Sequence, residues 1–275
     1  MKIDYISDLH LDSHCRVDNG TKIKKGFITV SDYYDRVFRG KQESDVLLVA
    51  GDMGHNIFQV KQLFDMLSYD YQTILYCLGN HEYWYGTGNV RFNNYQEKNF
   101  ALNRALQNDR VKFMDGDVVT INGINIGGSS LWYDFSSGAS RGINQGSFNR
   151  LCNDYFPDPS RMGLPNMDCK GWFDKEYKKA KNVIDQCDVY FSHVGPKEPD
   201  NIRPEFDNFV TGFFYFDGKE LLSSERIKAW VFGHTHDNIK ETWTKPTGEK
   251  VNLLCNPVGY HTEFDFLGKV ESFEV

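Results

Sequence analysis

Five short apolar runs, each ended by a small group of glycines and polar residues, constrain the fold of this chain more than any other feature. They are IDYIS before DLH, DVLLVA before GDMGH, TILYCL before GNHE, DVYFS before HVGP, and AWVF before GHTH. Continuous apolar runs of this length are typical of strands buried on both faces. Between them, apolar residues recur at helical steps, for example at Val60, Leu63, Phe64 and Leu67. This alternation predicts an α/β protein.

Two further stretches have the alternating pattern of half-buried strands. One runs from Val111 to Phe135, and the other from Glu241 to Val275. Such strands would extend the first sheet or form a second sheet packed on it. We therefore expect a two-sheet α/β sandwich.

The chain of 275 residues contains no recognisable linker or internal repeat, and we expect a single domain spanning residues 1–275. Residues 134–171 and 196–218 are rich in proline, asparagine, aspartate and aromatic residues, with little periodicity. These two segments are expected to be loop or cap insertions in that domain.

The formal charge of −7 argues against a broad surface for nucleic acid or anionic membrane. Met1 and Lys2 lead straight into a strand-like segment, and no apolar run approaches the length of a membrane span. We therefore expect a cytoplasmic protein without a membrane partner.

The six cysteines show no CxxC spacing, and several lie inside apolar runs. Reduced thiols buried in a core have this distribution, so all six are predicted to be structural thiols. They are Cys15, Cys77, Cys152, Cys169, Cys187 and Cys255.

Polar residues collect at the ends of the five predicted strands, and five of the eight histidines in the chain are among them. In open α/β sheets, ligands bind in the crevice beyond the carboxyl ends of the strands. The residues at these ends should therefore share one pocket. They are Asp8, His10, Asp52, Asn80, His81, His193, His234 and His236.

This mixture of carboxylate, imidazole and amide suits divalent ions such as Mn, Fe, Zn, Co or Ni. The donors exceed what one ion needs, and with one bridging carboxylate they divide between two ions about 3.5 to 4 Å apart. In the DLH and HTH motifs, alternate residues would face one site if the segments are extended, because strand side chains repeat every two residues.

The order DLH, GD, GNHE, H, GHTH resembles the calcineurin-like metallophosphoesterase superfamily, and the motifs cover the chain from Asp8 to His236. The resemblance implies an αββα sandwich with a binuclear metal centre. One ion would be held by Asp8, His10, Asp52 and His236. The other would be held by Asp52, Asn80, His193 and His234, so that Asp52 bridges.

The resemblance also implies a mechanism, in which a metal-bridging hydroxide attacks the phosphorus and His81 assists the leaving oxygen. His81 and Asp52 are thus the expected catalytic residues. We further expect Glu82 to hold a ligand in orientation, Gly79 to permit a tight exit from its strand, and His55 to be a candidate pocket residue. Four aromatic residues beside the motifs are candidates for stacking on a substrate, although such residues are more often core: Trp84, Tyr85, Trp132 and Tyr133.

Two departures from the motifs of other superfamily members narrow the choice of subfamily. Protein phosphatases of this superfamily carry glycine after the first motif and Asp-Arg-Gly after GD, and this chain has neither. GGSSLWYDF and SHVGP are similar to the corresponding stretches of small bacterial and phage members. The expected substrate is a small phosphomonoester or phosphodiester, with a nucleotide as one candidate. A metal-dependent nuclease and a non-catalytic binding scaffold are the alternatives, and the acidic chain makes nucleic acid the less favoured partner.

Overall fold

Two mixed β-sheets pack face to face, and helices pack on their outer faces, as the sequence predicted. The computed structural model describes residues 1–18, 22–23, 26–86, 91–202, 204–263 and 268–275.

The first sheet has five strands, of which only the C-terminal edge strand is antiparallel to its neighbour. In spatial order they are β13 (Glu271–Glu274), β1 (Lys2–Ile6), β4 (Val46–Ala50), β5 (Thr73–Cys77) and β6 (Val111–Phe113).

The second sheet has six strands, with a parallel centre and an antiparallel strand at each edge. In spatial order they are β11 (Ile239–Thr244), β12 (Lys250–Cys255), β10 (Ala229–Phe232), β9 (Val189–Ser192), β8 (Ile124–Ser129) and β7 (Asp117–Ile121). Asn122 and Gly123 join β7 to β8 with φ of 50° and 82°, the positive angles that a tight hairpin turn requires. A separate two-stranded pair is formed by β2 (Val17–Asp18) and β3 (Lys22–Ile23).

Nine α-helices lie in the described ranges, and none of them is long and apolar enough to cross a membrane. They are α1 (Leu11–His14), α2 (Val30–Val37), α3 (Ile57–Asp70), α4 (Tyr95–Leu106), α5 (Ser136–Ser140), α6 (Phe148–Tyr155), α7 (Asp158–Arg161), α8 (Cys169–Val183) and α9 (Lys219–Leu222). Short 3₁₀ helices span Asn80–Tyr83, Gln145–Ser147, Ile184–Gln186, Pro204–Phe206 and Phe209–Phe213.

Strand alternation divides the core into two layers. Leu48 of β4 packs with Val189 of β9 and Val231 of β10 in the cluster between the sheets. Leu47 and Val49, whose side chains point to the opposite face of β4, pack instead with Val60 and other residues of α3. Because successive strand side chains point to opposite faces, one continuous apolar run serves both layers.

The two predicted insertions are helical and pack on each other. Residues 134–171 contain α5, α6 and α7, and residues 196–218 contain the 3₁₀ helix Phe209–Phe213. The rings of Phe135 and Phe156 lie 5.2 and 4.8 Å from that of Phe213. These aromatic contacts hold the insertions over one end of the sandwich.

The prediction of six reduced thiols is wrong for two of them. Cys152, in α6, and Cys169, the first residue of α8, form a disulfide across 17 positions. Pattern analysis missed it because the two residues share no recognisable spacing motif. The other four are free and buried, as predicted: Cys15, Cys77, Cys187 and Cys255.

Reduction of the Cys152–Cys169 bond should lower the free energy of unfolding by about 3 kcal/mol, because it releases a loop of this length in the unfolded chain. The measurement is urea unfolding with and without dithiothreitol. The double variant Cys152→Ala/Cys169→Ala is the control, and its unfolding midpoint should be the same with and without dithiothreitol. An unchanged midpoint for the wild-type protein would contradict the prediction.

Candidate metal centre

The eight predicted site residues come together where strand ends of both sheets converge. Asp8, Asp52 and Asn80 follow strands of the first sheet, whereas His193 and His234 follow strands of the second. Seven of the eight are buried, and His236 is partly exposed. The site therefore lies at the junction between the two sheets, which we call the seam, and it contains donor groups from both sheets.

Asp52 lies at the centre of this seam, and its two oxygens face different histidines. Oδ1 lies 3.4 Å from Nε2 of His193. Oδ2 lies 3.6 Å from Nε2 of His10 and 3.8 Å from Nε2 of His81. A carboxylate placed in this way can contribute one oxygen to each of two neighbouring cations.

The remaining donors converge on the same two places. His236 Nε2 lies 3.5 Å from Asp8 Oδ1 and 3.0 Å from His10 Nε2. On the other side, His193 Nε2 lies 3.0 Å from Asn80 Oδ1. Three groups have donor atoms within 4.8 Å of one another and could hold a metal ion: Asp8, His10 and His236; His10, Asp52 and His81; Asp52, His193 and His234.

Three of these histidines are held by their second ring nitrogen. Nδ1 of His193 lies 2.9 Å from the carbonyl oxygen of Ala50, and Nε2 of His234 lies 3.0 Å from that of Phe213. Nδ1 of His236 lies 2.6 Å from a carboxylate oxygen of Glu263. An N–H that donates to such an acceptor leaves the other nitrogen as a lone-pair donor, the arrangement typical of metal-binding histidines. The donor set therefore fits a pair of divalent cations.

The backbone at the site differs from the extended form that we expected for the DLH and HTH segments. Five site residues have left-handed φ angles between 38° and 72°, a region that costs non-glycine residues about 1–3 kcal/mol each. They are Asp8, His10, Asp52, His234 and His236. Alternate residues of each motif do reach one site, but sharp left-handed turns direct them there and strand alternation does not.

Gly79 is required for a different reason from the expected one. Its backbone is extended, with φ −94° and ψ −176°, so its conformation is open to other residues. A Cβ atom at this position would instead overlap Oδ1 and the backbone nitrogen of Asp52. The glycine therefore lets two neighbouring strand ends approach each other closely.

Glu82 is fully buried and binds the backbone of two motif loops together. Its carboxylate accepts hydrogen bonds from the amides of Gly79, Asp52 and Met53 at 2.7 to 2.9 Å. The geometry agrees with the expected orienting role, because these bonds fix the backbone that carries the Asp52 side chain. Lys98, also buried, donates to the carbonyl oxygens of His81 and Trp84 at 2.9 Å.

His81 faces a cleft of about 280 Å³ that is lined partly by metal-site residues. Its ring stacks on Trp84 at 3.8 Å, and its Nδ1 lies 3.2 Å from Nε2 of His55. Its Nε2 lies 3.1 Å from the hydroxyl of Tyr260. His55 thus contacts the site, as the sequence suggested. Trp132 and Tyr133, by contrast, belong to the core and are not placed for stacking on a substrate.

Nearby carboxylates keep two of the histidines protonated in the cation-free protein. Burial lowers the pKa of His193 and of His236, but the carboxylates outweigh it. Asp52 raises the pKa of His193 to about 9. Asp8 and Glu263 raise the pKa of His236 to about 10.

Burial has the opposite net effect on the other three site histidines, because it lowers the pKa of His10, His81 and His234. It lowers the pKa of His234 to about 3 and holds the pKa of His10 well below its ordinary value. Burial also raises the pKa of Asp52, but the charges of His193 and His81 bring it well below the usual range. The carboxylate is therefore ionised and available as a ligand.

Sequence reasoning missed several residues that complete the site. Lys98, Asp158, Tyr260 and Glu263 all contact site residues, yet none lies in a motif. A lysine within the amphipathic pattern of α4 and a carboxylate within an aperiodic insertion look like ordinary surface residues. No local signal distinguishes them, because their roles depend on partners distant in the sequence.

A two-sheet α/β sandwich with carboxylate, imidazole and amide groups at its strand ends is the arrangement that the motif resemblance implied. A model of the calcineurin-like phosphoesterase family matches residues 1–238, and the chain belongs to this family of hydrolases. The resemblance drawn from the motifs is thus confirmed. The roles assigned to individual residues remain predictions.

Two similar proteins illustrate the match. The uncharacterized protein L509 of Acanthamoeba polyphaga mimivirus is 24% identical over 278 residues, which cover 94% of this chain and 91% of that protein. The crystal structure of the phosphopantetheinyl hydrolase PptH from Mycobacterium tuberculosis is similar with a TM-score of 0.67 and 16% identity, covering 98% of this chain and 95% of that one. At this identity the likeness to PptH shows a shared fold.

Gly79→Ala should weaken cation binding at least about 10-fold, because the new methyl group displaces the Asp52 carboxylate. The measurement is the rise in melting temperature that Mn²⁺ produces, which follows from preferential binding to the folded state. Gly86→Ala is the matched control, since a Cβ there meets no atom within 4 Å. The prediction fails if both variants respond to Mn²⁺ like the wild-type protein.

Cation binding to metal-stripped protein should release protons, because an imidazolium cannot act as a ligand. His193 and His236 carry the protons that must leave, so affinity should increase as the pH rises from 6 to 8 and approach a plateau near their pKa values of about 9 and 10. Calorimetric titration in buffers of different ionisation enthalpy measures the release. A binding heat independent of the buffer would show that no proton leaves.

Proposed function

We propose that this protein is a phosphoesterase that depends on two divalent metal ions and hydrolyses a small phosphomonoester or phosphodiester. One observation carries the proposal: the oxygens of Asp52 face separate groups of donors, so that one carboxylate can serve two cations. Family membership supports the hydrolysis of a phosphate ester.

The proposed ligands are those of the family pattern. Asp8, His10, Asp52 and His236 would hold one ion, and Asp52, Asn80, His193 and His234 the other. The donor types suit Mn, Fe, Zn, Co or Ni. When bound, two such ions supply an activated water nucleophile and offset charge on the phosphoryl oxygens in the transition state.

His81 is proposed to assist the leaving oxygen. Its ring stacks on the Trp84 indole and its Nδ1 contacts the His55 imidazole, while Nε2 lies 3.1 Å from the hydroxyl of Tyr260 at the cleft. A proton on Nε2 would donate to an ester oxygen that displaces this hydroxyl contact. Because the ring is already held, little freedom would be lost when the substrate binds.

The wall of the cleft suggests what the substrate carries besides its phosphate. Phe156 and Pro157 come from the first insertion, Phe214 comes from the second, and Trp84 completes an apolar surface beside the metal site. An ester with a compact apolar or planar group would cover this surface. PptH is described as a phosphopantetheinyl hydrolase, and an ester of that kind belongs in the substrate panel.

We also propose that residues 1–275 form one catalytic domain whose insertions, 134–171 and 196–218, build this wall. The charge of −7 supports a small ester over nucleic acid as the partner. A cytoplasmic location is proposed from the sequence. Stable disulfides are rare in that compartment, so a Cys152–Cys169 bond trapped by rapid alkylation of intact cells would contradict the proposed location.

Metal-stripped protein should hydrolyse bis-p-nitrophenyl phosphate, p-nitrophenyl phosphate or a member of a nucleotide and phosphopantetheine ester panel only after Mn²⁺ is restored. His81→Ala should lower kcat by about 10²- to 10⁴-fold, the usual contribution of a general acid. Bound Mn²⁺ is measured in parallel and should be unchanged in this variant. Absence of metal-dependent hydrolysis across the whole panel would refute the proposed function.

A further inference from the structure

Asp158 is a fully buried carboxylate outside every motif, at the start of α7 in the first insertion. Its Oδ1 accepts hydrogen bonds from Nδ2 of Asn80 and Nε1 of Trp84, both at 2.8 Å. Its Oδ2 accepts one from the hydroxyl of Tyr133 at 3.0 Å. Burying a carboxylate is costly, and here three donors compensate for the lost water.

The Asn80 amide can form this hydrogen bond with Asp158 in only one of its two orientations. A side-chain amide has an oxygen that accepts and a nitrogen that donates, and a rotation of 180° exchanges them at little cost. The indole N–H of Trp84, which can only donate, also binds Oδ1 of Asp158, so this oxygen acts as an acceptor and takes the nitrogen of Asn80 and not its oxygen. The oxygen must then point the other way, where it lies 3.0 Å from Nε2 of His193.

The segment that carries Asp158 is itself well fixed. The disulfide between Cys152 and Cys169 closes the loop that contains it. Within the loop, the side chain of Asn153 accepts a hydrogen bond from the amide of Met167 and donates one to its carbonyl oxygen, both at 2.9 Å. Rigid support of this kind lets a distant segment position a ligand.

We propose that Asp158 is a positioning residue that fixes the amide of Asn80 with its oxygen toward the metal site, and that holds the Trp84 indole against His81 at the same time. The inference rests on the proposed metal centre. It gives the first insertion a second task, because the segment that forms the cleft wall also orients a metal ligand.

The main test uses metal-stripped protein and counts bound Mn²⁺ by electron paramagnetic resonance during a titration. Asp158→Ala frees the Asn80 amide. It should lower the affinity for one of the two Mn²⁺ ions by about 10- to 100-fold, as loss of the hydrogen-bond partner of a metal ligand typically does. Asp154→Ala, at an exposed position of the same insertion, is the matched control and should bind like wild type.

A rescue variant separates positioning from a merely structural role. In Asp158→Ala/Asn80→Asp, residue 80 presents an oxygen in either orientation and needs no partner, so the affinity should recover by about 10-fold or more. A general loosening of the loop would leave the double variant as weak as Asp158→Ala. That result, or wild-type affinity in Asp158→Ala, would overturn the inference.

If Asp158→Ala does not fold, the inference is tested by exchanging the carboxylate and the amide between residues 158 and 80. Asn80→Asp alone sets two buried carboxylates against each other and should bind Mn²⁺ poorly. Adding Asp158→Asn supplies an amide that donates to the new carboxylate, and binding should improve by about 10-fold. Equal affinity in the two variants would refute the inference. If the wild-type protein itself binds no Mn²⁺, the proposed function fails first.

Discussion

The structure depends on one buried carboxylate, because Asp52 is where the two sheets share a polar site. Two oxygens of a single side chain serve donors from both sheets, and the surroundings are built around it. Gly79 leaves space for it, and the amide of His81 donates to Oδ1 at 3.0 Å. Glu82 holds the backbone of the two first-sheet loops that contain Asp52 and Gly79. An ionised group so deeply buried requires compensation by other charges, and protonated histidines or divalent cations supply it.

Strained backbone conformations are concentrated at the site. Five of its residues adopt left-handed angles, while the strands before them are regular and fully packed. The rigid sandwich stabilises these turns, since the strand ends cannot relax without disrupting the core between the sheets. Short turns are an advantage here. They bring donors from separate strands within a few ångströms, which extended segments of the same length could not do.

Residues outside the motifs contact the proposed metal ligands. The carbonyl oxygen of Phe213 and the carboxylate of Glu263 hold His234 and His236, and Asp158 holds Asn80. Two of these partners belong to the insertions, and Glu263 follows the last motif. The segments that line the cleft therefore also contact the proposed ligands.

The sequence by itself determined the α/β class, the two sheets and the polar residues that meet at the strand ends, since each motif directly follows an apolar run and both signals are local. It could not determine which donors face each other, the left-handed turns or the Cys152–Cys169 bond. Nor could it reveal Asp158, which meets Asn80 across 78 positions. The physical reason is the same in each case: these features arise when distant segments are brought into contact, and only the packing of the two sheets and the insertions decides which segments meet.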